Sequence, residues 1–505
     1  MRGVKRAGLS LALLALPLGC TVGPDFEPPK ADTPPRFTLP SQMPASVATE
    51  APVASAAWWE SFDDPMLTSL VTRAATANLD VRQAVLRIAE ARADRDVAAA
   101  GMFPTLSANA SYERERISEK TAFTSLLGSL GSGGAAAGHG PPGGVSSALP
   151  GFKNPFGQWQ VGFDASWEID LWGRVRRNVE AADADTEASI EDGRSVLVSL
   201  FAEIGRDYVD LRAAQLRRAV LEENVVTARD ILALARDRRR AGAGNDLDVA
   251  NAAAQLTSTE AQLPPEGSRA TQDINGLSFL LGQPPGTLGA ELEAAKPVPP
   301  VPPEVPIGLP ADLVRRRPDI REAEAQLHAA TARIGVAVAD LFPRLTLSAD
   351  AGSQAASASE IGTWASRFFS IGPSLELPIF NGGQLQATVR LQDVRAKEAA
   401  VAYARAVLSA LNDVENALVA YGAEQGRRAA LAATVDQDRE ALMLARQRYA
   451  AGITTFLDVL DAERAVEQSE LSLADSTAAL STDLVALYKA LGGGWESEAA
   501  QNAPK

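Results

Sequence analysis

The sequence predicts a mixed α and β membrane protein, in which a β-barrel is continued outside the membrane by long helices. Three observations carry this prediction. Residues 159–171 alternate strictly, with an apolar side chain at every odd position and a polar residue or glycine at every even one. A strand of that kind has one apolar face and one wetted face, and its length suits a membrane-spanning strand of ~9–11 residues. A very long helical pattern follows directly. The same order returns later, with alternation over residues 369–379, then Asn381, Gly382 and Gly383, then a second long helical pattern.

Composition narrows the possibilities. With 46% hydrophobic and 22% charged residues the chain of 505 residues folds rather than staying disordered. No run approaches the ~18 consecutive apolar residues of a helical membrane span. A net charge of −15 argues against nucleic acid as a partner, since phosphate neutralisation needs basic patches. The acidity fits either the solubility of long exposed helices or an electronegative lumen. The only cysteine, Cys20, excludes an intrachain disulfide, and the two histidines, His139 and His328, stand in contexts unlike a metal site. No nucleophile–base constellation is present, so neither an enzyme nor a cofactor is expected.

The amino terminus reads as a signal peptide over residues 1–19. Arg2, Lys5 and Arg6 precede an apolar run from Ala7 to Leu18 that is too short to span a bilayer. Leu16-Pro17-Leu18-Gly19-Cys20 resembles a lipobox, with Pro17 departing from the usual leucine. Cleavage would leave Cys20 as the first mature residue, carrying a thioether-linked diacylglycerol that holds the chain to a membrane.

Each later element follows in order. Residues 20–57, rich in Pro, Ala, Ser and Thr, read as a lipidated tether. A first structural repeat covers 58–282. It opens with Trp58 and Trp59 and continues with one helical pattern from Met66 to Gly101, ended by Phe103-Pro104. A strand over about 105–113 places Leu106, Ala108, Ala110 and Tyr112 on one face. The Gly/Ser/Ala-rich segment 114–158 cannot build a core and is expected to be a flexible loop. The strand 159–171 then leads into a helix from Val175 to Arg240, which at ~1.5 Å per residue is about 100 Å long. Gly242 and Gly244 break it. A return helix starts near Asn245 or Asp246 and runs toward Gly282, interrupted at Pro264-Pro265. Residues 283–310, with many prolines, form a linker.

A second repeat covers 311–492. Arg315–Ala339 is helical, residues 345–351 and 369–379 are strands, a long helix spans about Gln384–Ala450, and a return helix runs from Phe456 to Leu491. Residues 493–505 form a tail. Gly242 pairs with Gly452, and Gly282 with Gly492, both at a spacing of 210 residues. Such registration marks an internal duplication. Four strands per chain cannot close a membrane barrel, and open edges have no water to bind in hydrocarbon. Association is therefore implied: two chains supply eight strands and three supply twelve.

Several stretches together are similar to the outer membrane factor family of TolC-like proteins, in its lipoprotein branch serving resistance–nodulation–division efflux systems (NodT-like). They are Gly23-Pro24-Asp25-Phe26, the run Trp58 to Pro65, Asn78-Leu79-Asp80, Leu313 to Ile320, Phe342-Pro343, and Gly372 to Gly383. The resemblance covers essentially the whole chain. It implies a homotrimer with a 12-stranded outer-membrane β-barrel, four strands per chain, continued by a periplasmic α-helical barrel with coiled-coil tips. The linker 283–310 and the chain ends would form an equatorial belt. The implied function is a passive exit duct in a tripartite efflux pump, fed by an inner-membrane RND-type transporter through a periplasmic adaptor. An exit channel for type I protein secretion uses the same architecture and is the alternative.

The resemblance also assigns residues. Gly242 and Gly452 would mark tips that meet the adaptor, and otherwise serve as helix stops. Asp458, Asp461, Asp248 and Tyr449 would form a periplasmic gate, with Thr454 where some members carry an arginine. Read without the resemblance, an aspartate in a first helical turn is favoured by the helix dipole alone. Arg315–Arg317 reads as a solvated helix start with Pro318 in the first turn. Trp159, Trp167, Trp172 and Trp364 read as interfacial aromatic side chains facing lipid.

Overall fold

The computed structural model describes residues 21–38, 47–49, 57–116, 118 and 155–497. The signal peptide, Cys20, His139, most of the 114–158 segment and the last residues of the tail lie outside the described residues. The elements, in order, are β1 (Val47–Thr49), a 3-10 turn at Trp58–Phe62, α1 (Pro65–Ala77), α2 (Leu79–Ala100), β2 (Thr105–Glu115) and β3 (Phe156–Ile169). Next come α3 (Arg174–Arg240), α4 (Asp246–Glu260), α5 (Leu263–Leu280), α6 (Gly289–Leu292), β4 (Glu304–Pro306), α7 (Pro310–Arg316) and α8 (Pro318–Ala339). The last are β5 (Arg344–Ala355), β6 (Arg367–Glu376), α9 (Gln384–Ala450) and α10 (Phe456–Ala490).

The duplication is closer than the glycines alone suggest. Helices α3 and α9 each have 67 residues. Their starts, Arg174 and Gln384, and their ends, Arg240 and Ala450, keep the spacing of 210, as do the starts of α4 and α10. The four matched glycines have φ of +73° (Gly242), +77° (Gly452), +66° (Gly282) and +67° (Gly492). At each, the residue after the glycine donates to a carbonyl five residues back: Ala243 to Arg238, Ile453 to Arg448, Gln283 to Ser278, and Gly493 to Tyr488. This is the Schellman closure, whose left-handed residue favours glycine.

The chain divides into two compact units. The first takes its described residues from Met1–Phe26, Asp94–Ala182 and Ala330–Val394. It holds a four-stranded antiparallel sheet in the order β2-β3-β5-β6. The register sorts the side chains. Leu106, Ala108, Ala110 and Tyr112 of β2 sit opposite Ala165, Phe163, Val161 and Trp159 of β3. These in turn align with Ala349, Ala351, Ser353 and Ala355 of β5, and Leu345, Leu347, Ala349 and Ala351 meet Leu375, Pro373, Ile371 and Phe369 of β6. One face is therefore almost wholly apolar. The other carries Ser107, Asn109, Asp164, Ser348, Asp350 and Ser370, with Asn109 Nδ2 donating to Asp164 at 2.5 Å. Trp159 and Trp167 lie on the apolar face as expected. Trp172 does not behave as a lipid-facing ring: it stacks on Phe342 at 4.7 Å and donates to the Pro343 carbonyl at 2.9 Å.

The expected strands exist, with shifted bounds. The strand read as 159–171 is β3 and ends at Ile169, because Asp170 turns to accept from the Arg176 N–H at 2.9 Å and so caps the start of α3. The strand read as 369–379 is β6 and stops at Glu376, just before Pro378, which has no N–H to give a ladder.

The second unit takes Glu27–Ala93, Asp183–Ala329 and Arg395–Lys505, again for its described residues. Trp58, Trp59 and Phe62 anchor its core. Trp58 stacks on Tyr488 at 5.4 Å, and Trp59 meets Phe201 edge-on at 4.9 Å. Leu67, Leu70 and Val71 of α1, Ile204 and Leu211 of α3, Leu277 of α5 and Leu484 and Leu487 of α10 fill the rest. The linker and tether are more structured than their composition suggests. β1 pairs with β4 in parallel, Arg212 of α3 donates to the Ala294 carbonyl at 2.9 Å, and Ser481 donates to the Pro299 carbonyl at 2.8 Å. The Pro264-Pro265 interruption is found where expected, with both prolines in the first turn of α5.

Two expected continuous helices are each broken in this unit. The pattern read as one helix over 66–101 splits at Asn78. Its Oδ1 accepts from the N–H groups of Asp80 (2.8 Å) and Val81 (3.1 Å), capping α2, while its Nδ2 donates to the Leu280 carbonyl at 2.9 Å. The pattern read as Arg315–Ala339 splits at Arg317, which Pro318 forces out of helical geometry. Arg317 is not part of a solvated helix start. It forms an ion pair with Asp319 at 2.7 Å and another with Asp413 at 3.3 Å, and donates to the Ala490 carbonyl at 2.8 Å.

Asn78 is only 2% exposed, so its cap and its bond to Leu280 are both shielded from water. Asn78→Ala should destabilise the protein by about 2 kcal/mol. Asn78→Asp keeps the capping acceptor and should lose less. Guanidinium unfolding of detergent-solubilised protein measures both, and equal midpoints for all three proteins would contradict the assignment.

Candidate functional site

The expected gate and tip residues gather at the two helix turns of the second unit, α3–α4 and α9–α10, while Cys20 lies outside the described residues. Each turn is closed by its glycine and then restarted by a capped helix. Asn245 caps α4 by accepting from the Asp248 N–H at 2.8 Å. At the start of α10 Thr455 is the N-cap, and Asp458 reaches back to its N–H, the acidic half of a capping box. Asp458 accepts from the hydroxyl of Thr454, from the Thr455 hydroxyl at 2.9 Å and from the Thr455 N–H at 3.1 Å. Those bonds, that from Thr454 foremost, hold its carboxyl below the usual aspartate value. Within one chain, one carboxylate oxygen of Asp458, Oδ2, is thus engaged in starting a helix.

Tyr449 and Asp248 join the two turns. The Tyr449 hydroxyl donates to Asp248 Oδ2 at 3.1 Å. Its ring packs edge-on against Phe456 at 5.5 Å and lies under the Arg238 guanidinium at 4.4 Å. Arg238 also donates to the Ala243 carbonyl at 3.1 Å, so it ties the first turn to the second. Burial and the neighbouring Asp248 carboxylate push the Tyr449 hydroxyl up to about 12, which keeps it a donor at any physiological pH. An apolar cluster beneath supports this link: Ile231, Leu232 and Ala235 of α3, Ala252 of α4, Leu442 of α9, and Val459 and Leu460 of α10.

The structure thus brings Asp248 and Tyr449 together and leaves Asp458 in its own helix cap. Asp461 is exposed on α10, and Leu247, Ile453 and Leu457 are exposed apolar residues around the turns. Two contributors were missed from sequence: Arg238, one arginine in a cluster of four, and Phe456. A usable signal for Phe456 was its place at the head of the α10 buried stripe, just past the glycine.

Comparison with known proteins follows the duplication. The profile of the outer membrane efflux protein family matches residues 70–283 and again residues 309–493. The chain belongs to the outer membrane efflux protein family. Nodulation protein T of Rhizobium leguminosarum bv. trifolii is 32% identical over 482 residues, covering 94% of this chain and 95% of that protein. The solvent efflux pump outer membrane protein SrpC of Pseudomonas putida is 32% identical over 500 residues, covering 96% and 98%. Among solved structures, the outer-membrane channel OprN superposes with a TM-score of 0.82 at 35% identity, over 95% of this chain and all of that one. The fold of this efflux protein is therefore that of an outer-membrane channel, as its strands and long helices led one to expect.

Proposed function

We propose that this protein is the outer-membrane exit duct of a tripartite efflux pump, a passive path for small molecules handed over by an inner-membrane RND-type transporter through a periplasmic adaptor. One observation carries the reading: among its described residues each chain offers a four-stranded sheet with an apolar face and two open edges, together with two helices far longer than a globular core uses. Three chains would close a 12-stranded barrel and extend it as a helical tunnel across the periplasm. Relatives described as efflux pump outer membrane proteins support the same role.

In this reading the turns at Gly242 and Gly452 are the tunnel's periplasmic tips and the adaptor's landing points. Their likeness supports one kind of partner at both, since Arg238 and Leu247 recur at the same spacing as Arg448 and Leu457. The Tyr449–Asp248 bond, clamped by Arg238, is the gate's fastening within each chain. Three copies of Asp458 and Asp461 form an acidic rim that favours cations at the narrowest point. Cys20 carries the lipid anchor. The residues that follow it are tied to the first unit, where Val22 donates to the Trp172 carbonyl at 3.1 Å and Asp25 pairs with Arg177 at 2.5 Å. Gly23 lies so close to Gly335 that a Cβ there would sit 2.5 Å from its Cα.

Planar-bilayer recordings test the duct and its gate. The wild type should give a small, cation-preferring conductance, and Tyr449→Phe should raise it severalfold by removing the bond to Asp248. The double variant Asp458→Ala/Asp461→Ala should lose the cation preference. Conductance unchanged in Tyr449→Phe, with selectivity unchanged in the folded double variant, would place the constriction elsewhere. The anchor has its own test: Cys20→Ser should abolish labelling by radioactive fatty acid, and a persisting labelled band would contradict it.

A further inference from the structure

The buried stripe of α10 contains acids where its spacing calls for apolar residues. Phe456, Val459, Leu460, Glu463, Val466, Glu467, Glu470 and Ala474 lie on one helical face, each three or four residues from another of the set, and all are buried. Two of the three glutamates are well partnered. Glu467 accepts from Gln255 at 3.0 Å, from Thr259 at 3.1 Å and from Gln262 at 2.5 Å, and Glu470 accepts from Arg439 at 2.7 Å.

Glu463 is different. It is 6% exposed, and its Oε2 is buried with no hydrogen-bond partner among the described residues. The charged groups around it are Glu467 and Arg464 on α10 and Arg446 on α9. Arg464 is engaged with Gln255 Oε1 at 3.0 Å. Packing alone does not need a carboxyl here. The position 210 residues earlier is Ala253, which packs against the same apolar cluster beneath the turns.

We propose that Glu463 is a protonation latch for the second hairpin: with its proton bound, α10 stays packed against α4 and α9, and loss of the proton loosens that packing and favours opening at the Gly452 turn. The proposal rests on the reading of these turns as a gate. A buried carboxylate oxygen that accepts no hydrogen bond is costly to ionise, while a neutral carboxyl is tolerated. Burial, reinforced by Glu467, pushes Glu463 up to about 7. The sign follows from that direction. The folded value lies above the ordinary 4.5, so ionisation costs nothing at strongly acid pH. The cost builds as pH rises from 4.5 and is fully present above about 7.

Hydrogen exchange on the full-length protein in detergent tests the latch, read at the backbone of residues 456–470 and corrected for intrinsic rates. Protection should fall roughly tenfold between about pH 6 and about pH 8 in the wild type. It should stay flat in Glu463→Gln and in Glu463→Ala, which copies the first repeat. Flat wild-type protection, or the same pH profile in the variants, would overturn the proposal. Bilayer conductance over the same pH range separates the two ideas. A rise with pH that both variants abolish supports latch and gate together. Exchange that depends on Glu463 with pH-independent conductance would uphold the packing latch and contradict the gate reading on which its effect on opening depends.

Discussion

The outer edges of β2 and β6 constrain everything else in this chain. Within the described residues the sheet pairs β2 with β3, β3 with β5 and β5 with β6, and it ends there. Its apolar face belongs in hydrocarbon, where each backbone group without a partner costs several kcal/mol. In a closed barrel, strands of other copies satisfy these edges. The alternation that makes the sheet suited to a membrane is therefore what makes one chain insufficient. Closure between chains would also bring the long helices of each copy together.

Duplication supplies the second constraint. The spacing of 210 residues holds for helix ends and for all four Schellman glycines, so both hairpins are built to the same length and stop at the same level. Against that common frame the differences stand out. The second turn has Tyr449 and Phe456 where the first has Arg239 and Asp246, and the bond between Tyr449 and Asp248 exists only because position 449 diverged from its counterpart. Ala253 and Glu463 diverged in the same way, one keeping the core apolar and the other placing a titratable group within it.

Much of this was legible in the sequence because it rests on period. Alternation placed the four strands of the antiparallel sheet, though not β1 and β4, and spacings of three and four placed α3, α9 and α10. The return of a glycine with the same neighbours placed the turns. What escaped depends on distant partners. Asn78 looks like any polar residue in a helical pattern until its bond to Leu280 is seen, and Arg317 looks solvated until Asp413 and Ala490 close around it. Strand ends escaped for a related reason, since Asp170 continues the alternation on paper but caps α3 in space. Of the site residues, Asp458 was readable as a helix start, and its capping box accounts for it within one chain. The pairing of Tyr449 with Asp248, 201 residues apart, was not readable from either residue alone.

The number of chains in the assembled protein tests the central claim most directly. Native mass spectrometry after mild detergent extraction should give a mass of three chains, with sheet structure lost when the assembly is driven to monomer. A stable species of one or two chains that retains its sheet would mean that β2 and β6 are satisfied in some other way, and the account of a shared barrel would fail.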